Sequence, residues 1–210
     1  MESSASPRAY RSALRTRQAQ ETRERVIEAA GALFSQQGYQ ATTISAIARA
    51  ADVSAETVKA TASKPELLIA SFEMRFAGAE GRTSLADTPI AIDVTNASRA
   101  EFLDGVITII AEANARGHSL WTVLLGAALS DDQVARALST ILTQRRADYR
   151  RLVDELIARG EVIDDPDAAA AGLSFLLSPE GYQQLVQQSG WTMPQYRAWL
   201  ARSVDRALAV

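Results

Sequence analysis

From about Gln18 the apolar positions of this chain recur at helical spacing. Val26, Ile27, Ala30, Leu33 and Phe34 form one stripe, with Glu21, Arg23, Glu24, Arg25 and Glu28 on the other faces. Gly38 ends that helix, because a C-cap in the left-handed region favours glycine. Thr42-Thr43 opens a short second helix with Ile44, Ile47 and Ala48 inward. A helix so short is marginal alone, so it must be packed against its neighbours. Further apolar-striped segments run near 64–78, 98–115, 118–129, 131–159, 166–187 and 192–208. Their starts are marked by capping-box pairs at Ser63–Glu66, Ser98–Glu101, Ser130–Gln133 and Thr192–Gln195. Asp165-Pro166 and Ser178-Pro179 fit an N-cap followed by proline at the first helical position. No run alternates polar and apolar as a strand would. The pattern predicts an all-α chain of about nine helices.

Two stretches fall outside the pattern. Residues 1–16 are rich in Ser, Ala and Arg without apolar periodicity, and read as a disordered basic arm. Such an arm is a solvated tail or an added set of phosphate contacts. Gly78 to Asn96, which contains Pro89, reads as a loop with room for a short helix.

Composition narrows the chemistry. The 210 residues carry a formal net charge of −3, but that charge is unevenly spread. Residues 1–64 hold nine Lys and Arg against six acids, whereas residues 65–210 hold thirteen against nineteen. A basic head on an acidic body suits two ends that meet different partners. No cysteine is present, which removes disulfides, thiolate–metal sites and thiol nucleophiles. There is one histidine, no Gly-rich phosphate loop and no His-Glu-x-x-His, so neither an enzyme nor a metal or cofactor site is expected. No apolar stretch approaches the ~18–20 residues that cross a bilayer, and Met1 to Gln20 lacks a secretory pattern. The expectation is a cytoplasmic protein without a membrane partner.

The densest signal lies between Thr43 and Lys64. A helix over 43–50 is followed by a tight turn at Ala51 to Val53, and Ser54 then caps another short helix. Helix-turn-helix geometry accounts for these residues. Ala48 is small where two helices cross, Val53 plugs the space beneath the turn, and Ile44, Ile47 and Val58 seal the pair onto the first helix. The leading edge of the second helix is left to enter a major groove of DNA.

Here the sequence resembles the tetracycline-repressor (TetR) family of transcription regulators. The resemblance rests on Glu-Ala-Ala-Gly-Ala-Leu-Phe (28–34), Gly38-Tyr39, Thr42-Thr43, Ile47-Ala48, Val53-Ser54, Thr57-Val58 and Ser63-Lys64 before Glu66-Leu67-Leu68. It is weaker at Ser178-Pro179-Glu180-Gly181-Tyr182 and from Gly190-Trp191 to Leu200. It implies a helix-turn-helix DNA-binding domain over 17–64, and a helical domain over 65–210 for dimerisation and effector binding. It further implies a homodimeric repressor on double-stranded DNA, released from a near-palindromic operator by a small-molecule effector. Thr43 and Lys64 are expected at phosphates, with Ser54, Ala55, Glu56, Thr57 and Lys59 at or near bases. A cation at a helix start, as at Lys64, also suits an anionic partner. Two departures stand out: Lys59 where the family has an aromatic residue, and Ala62 where it has a phenylalanine, in a segment one residue shorter. Asp52 replaces the usual turn glycine, a mild change because Asp tolerates the left-handed region. The shortened segment motivates the alternative of a TetR-like dimer with weakened DNA contact, acting as a ligand- or partner-binding module.

In the C-terminal part, Leu173, Phe175, Leu176, Tyr182, Leu185, Trp199, Leu200 and Val204 are candidates for a dimer interface or for intramolecular core. Phe102, His118, Trp121, Leu125 and Tyr149 are candidates to line a ligand pocket. Arg145-Arg146 and Arg150-Arg151 read as a solvated, ion-paired face, with an anionic-effector site as the alternative.

Overall fold

The structure is a computed structural model and describes residues 7–81 and 98–208. Residues 1–6, and most of the irregular stretch read at 78–96, lie outside the described residues. Nine α-helices follow one another without a strand among the described residues: α1 (Pro7–Ala41), α2 (Ile44–Ala50), α3 (Ala55–Thr61), α4 (Lys64–Ala77), α5 (Arg99–Ala127), α6 (Asp132–Ala158), α7 (Pro166–Leu176), α8 (Pro179–Tyr182) and α9 (Met193–Leu208). A π-helical turn over Gln183–Gln188 continues α8.

Three boundaries differ from the sequence expectation, each for a local reason. Helix α1 begins at Pro7, so residues 7–16 are helical and not a disordered arm. Proline suits the first helical position, and the Ala, Arg and Gln that follow have high helix propensity. Residues 98–115 and 118–129 are one helix, not two. Gly117 is interior to α5, where a Cβ would lie 3.1 Å from Phe76 Cδ2, so it marks a close crossing of α4 and not a helix start. Helix α6 is capped by Asp131, whose carboxylate accepts from the Gln133 and Val134 N–H groups, and not by Ser130. Elsewhere the caps stand as read: Ser63 and Ser98 form full capping boxes, and Thr192 pairs reciprocally with Gln195.

Two hydrophobic clusters organise the molecule. The first joins Val26, Ala30 and Phe34 of α1, Ile47 of α2 and Val58 of α3 to Leu67 and Phe72 of α4. It continues without a break into Leu120 and Leu124 of α5 and Val134 and Ile141 of α6. The apolar interior therefore runs straight past residue 64. The second cluster gathers Phe102 and Ile107 of α5, Val153 and Leu156 of α6, Leu173 of α7, and Tyr196, Leu200 and Val204 of α9. Helix α5 spans both: 29 residues at 1.5 Å each make a rod of about 43 Å.

Candidate nucleic-acid interface and the interior behind it

The helix-turn-helix is set by few atoms. Gly38 takes φ 78° and ψ 178°, a region essentially closed to residues with a Cβ, and turns the chain out of the long first helix. Thr42, fully buried, donates its hydroxyl to the Gly38 carbonyl at 2.8 Å. Thr43 caps α2 by accepting from the Ala46 N–H at 3.1 Å. Ala51 is buried in the turn and Asp52 has φ 54°, the left-handed geometry expected of it. Val53 packs against the core beneath the turn. Ser54 caps α3, its Oγ accepting from the Thr57 N–H at 3.0 Å.

Helix α3 buries Val58 completely and turns the opposite edge outward. Ser54, Glu56, Lys59 and Ala60 are exposed, and Ala55 and Thr57 are half-buried. The Thr57 hydroxyl lies 3.0 Å from the Ser54 hydroxyl. The Glu56 carboxylate is held below its ordinary value by the backbone N–H at the helix start and by the Ser54 hydroxyl. Seven residues span about 10 Å, a length that fits across a major groove about 12 Å wide.

The segment after α3 is ordered despite lacking the expected aromatic anchor. Ala62 is buried in an extended conformation. The Arg23 guanidinium donates to the Thr61 carbonyl at 2.7 Å and forms an ion pair with Glu80. Arg23 thus holds the C-terminal end of α3 through charge-assisted hydrogen bonds in place of the expected aromatic anchor. Nothing in the spacing of an exposed-looking arginine on α1 signals that role.

Lys64 sits differently from its reading as a bare cation at a helix start. Its Nζ lies 4.3 Å from the centre of the Tyr39 ring, and burial lowers its pKa. The Tyr39 hydroxyl donates to Asp131 at 2.7 Å. Burial and this bond push the Tyr39 phenol up, and the same bond holds Asp131 below its ordinary value. Tyr39 and Asp131 therefore tie the helix-turn-helix to the start of α6. Gln40, which donates to Ser130 at 3.0 Å, adds a second tie.

Residues 26–59 match the family model described as bacterial regulatory proteins, tetR family. The N-terminal module is that of the tetR family. No curated protein matches the chain. Among solved structures, the chain is similar to NalD, the secondary repressor of the MexAB-OprM multidrug efflux pump in Pseudomonas aeruginosa. The identity there is 18%, covering 91% of this chain and 97% of that one, with a TM-score of 0.62. The fatty acid degradation regulator FadR of Bacillus halodurans is 20% identical over 89% of this chain and 94% of its own, with a TM-score of 0.63. A regulator of Saccharomonospora viridis solved in complex with choline is 18% identical over 89% and 96%, with a TM-score of 0.70. At these identities the likeness establishes a shared fold over about nine-tenths of the chain.

Behind the module, the pocket candidates divide. Trp121 and Tyr149 are buried and share a neighbour, the Arg145 guanidinium, at 5.8 Å and 6.0 Å from their ring centres. His118 packs its ring 5.0 Å from that of Tyr182, with Nδ1 3.2 Å from the Ala115 carbonyl. Leu125 lies against the first cluster. Phe102 does not join them: nineteen residues before Trp121 on one continuous helix, it lies about 28 Å away and packs beneath Arg159. Of the basic face, Arg150 and Arg151 are ion-paired with Asp154, Asp167 and Asp148 as expected. Arg145 instead turns inward, its side chain 18% exposed, and donates to the Ser174 carbonyl.

Two residues that the periodicity did not single out complete this region. Asn114, on α5, is fully buried and donates to the Leu177 carbonyl at 3.1 Å, to which Tyr149 also donates at 3.4 Å. Tyr196, on α9, stands edge-on to Tyr182 with centres 5.5 Å apart. An amide on an otherwise apolar helix stripe was a usable signal for Asn114. Tyr196 reads as ordinary core from sequence.

The dimer candidates also separate. Tyr182 and Val204, with Leu173 and Leu200, are consumed inside the second cluster and offer no surface to a partner. Val204 falls eight residues after Tyr196 and four after Leu200, hence on the inward face of α9. Leu176, Leu185 and Trp199 are half-buried. Phe175 is 78% exposed and shares an outward stripe of α7 with Ala168 and Ala171.

Proposed function

We propose that this protein is a homodimeric transcriptional regulator, most simply a repressor, which leaves a near-palindromic operator when a small molecule binds its C-terminal helices. The observation that carries this reading is the division of α3: Val58 locked in the core, and Ser54, Glu56 and Lys59 presented outward. Glu56, Thr57 and Lys59 address base edges or nearby backbone. Thr43 and Lys64 flank them at phosphates, Lys64 leaving the Tyr39 ring to do so. The α7 stripe centred on Phe175 supports a two-fold interface, because an exposed phenylalanine set among alanines gains from being covered. That interface would set the two α3 helices about one DNA turn, roughly 34–36 Å, apart.

The effector reading has physical support in the first hydrophobic cluster. The core that seats α3 is the core that holds Leu120 and Leu124, so a ligand that shifts α5 also shifts the headpiece. A coupling of about 1–3 kcal/mol would weaken operator binding roughly 5–150-fold. The choline complex of the Saccharomonospora viridis regulator is a precedent for a small molecule in this fold.

Selection of duplexes from a random pool, followed by fluorescence anisotropy at several salt concentrations, tests the proposal. The expected result is one enriched palindromic sequence, affinity falling steeply with salt, and a light-scattering mass of two chains. Lys59→Ala should weaken binding. A protein that enriches no sequence and shows no salt-dependent affinity for any duplex is the binding module with decayed DNA contact, not a regulator.

A further inference from the structure

Among the buried side chains of the described residues, Asn114 Oδ1 and Trp121 Nε1 have no hydrogen-bond partner. Leaving such an atom unpaired is costly, so two in one neighbourhood call for an explanation. They do share a neighbourhood. Asn114 and Trp121 are seven residues apart on α5, hence on one face and about 10 Å apart along the axis. His118 lies between them and stacks on Tyr182, which stands against Tyr196. From α9 the Tyr196 hydroxyl comes within hydrogen-bonding reach of the Asn114 side-chain amide.

The electrostatic character of this seam is set by Arg145. Its guanidinium lies against the Trp121 and Tyr149 rings, and its carboxylate neighbour Glu180 is 3.9 Å away and half exposed. A cation is thus already seated on the aromatic faces that would attract a quaternary ammonium group. The seam offers a guanidinium and an indole N–H at one end and an amide oxygen at the other. Between them stand aromatic walls.

We propose that this seam binds an aromatic monocarboxylate, its carboxylate on Arg145 and the Trp121 N–H, its ring against the contiguous wall of His118, Tyr182 and Tyr196. A ring hydroxyl at the far end donates to Asn114 Oδ1. Trp121 to Asn114 spans one benzene ring with a polar group at each end. The proposal rests on the reading of this region as the effector site and adds the chemical class of the effector. The weak Arg145–Glu180 contact gives way, because a ligand carboxylate can pair bidentately with the guanidinium whereas Glu180 reaches it at one long distance.

Isothermal titration of the full chain tests this without DNA, using 4-hydroxybenzoate, benzoate, methyl 4-hydroxybenzoate and tetramethylammonium as probes. The expected order is 4-hydroxybenzoate tighter than benzoate, with the ester at least about tenfold weaker than the parent acid and the ammonium silent. Arg145→Gln should erase the difference between acid and ester, and Trp121→Phe should weaken the acid while keeping the ring. An ester that binds as tightly as its acid overturns the proposal, as does tetramethylammonium binding more tightly than either acid. So does absence of heat from both acids at about 10 mM. The acid–ester comparison uses the natural sequence, so it stands if a variant fails to fold. An acid that binds yet leaves the operator complex intact removes the release mechanism and spares this inference. Operator release by other compounds, with both acids silent, does the reverse.

Discussion

Around the helix-turn-helix, the buried polar groups are answered. The Thr42 hydroxyl donates to Gly38, the Ser71 hydroxyl to the Ile27 carbonyl at 2.9 Å, and the Tyr39 hydroxyl to Asp131. At the seam where α5 meets α6, α8 and α9, Asn114 Oδ1 and Trp121 Nε1 are not. Both sets of groups are buried, so burial alone does not explain the contrast. The first region is a finished structure whose task is to hold one outer edge in a fixed attitude. The second leaves hydrogen-bonding capacity unused, which is what the proposed effector would take up. The same long helix, α5, serves both.

The comparison can be broken most severely at the shared core. Phe34 is fully buried and stacks on Tyr39, so Phe34→Ala should cost about 3–5 kcal/mol. Because the first cluster runs from α1 into α6, the loss should lower a single calorimetric transition. A headpiece that melts separately while the rest keeps its melting temperature would contradict the continuity described. Gly117→Val comes next: a side chain forced against Phe76 at the crossing of α4 and α5 should cost about 1–3 kcal/mol by urea denaturation. Ser54→Ala removes the cap of α3 and should cost about 1 kcal/mol, with a larger loss in DNA affinity than in stability. The smallest effect concerns Glu73, which is buried, accepts from the Gly81 N–H and has its pKa raised by burial. A raised folded-state pKa means its stability contribution is present at acid pH and lost as pH rises through that value. Glu73→Gln should therefore raise the melting temperature at pH 7, with the gain disappearing as the pH falls below the ordinary carboxylate range. A gain that persists in acid would show that charge is not the cause.

The headpiece was legible in the sequence because its determinants are local. A glycine, two capping hydroxyls, a turn valine and an apolar stripe each act within one or two turns, and all appear where their spacing puts them. The seam was only half legible. Trp121, Tyr149 and His118 could be nominated as large side chains on inward faces, but what brings Arg145, Asn114 and Tyr196 to them is the packing of separate helices. Phe102 lies apart from the other pocket candidates for the converse reason: Gly117 looks like a terminus, and the crossing with Phe76 marks where α5 runs on without a break. Arg23 was missed because its partners, Thr61 and Glu80, lie 38 and 57 residues away.

Gly38 carries a consequence for how the protein can move on its target. With the chain direction changed at one residue, and Thr42 bonded back across the corner, α2 follows α1 with no slack between them. The reading edge cannot swing independently of the first helix. In the proposed dimer, reach would change by tilting each headpiece as a block about its seat on α4 and α5. Small rotations deep in the body then appear as larger displacements at the far tip, in the manner of a lever with a stiff arm.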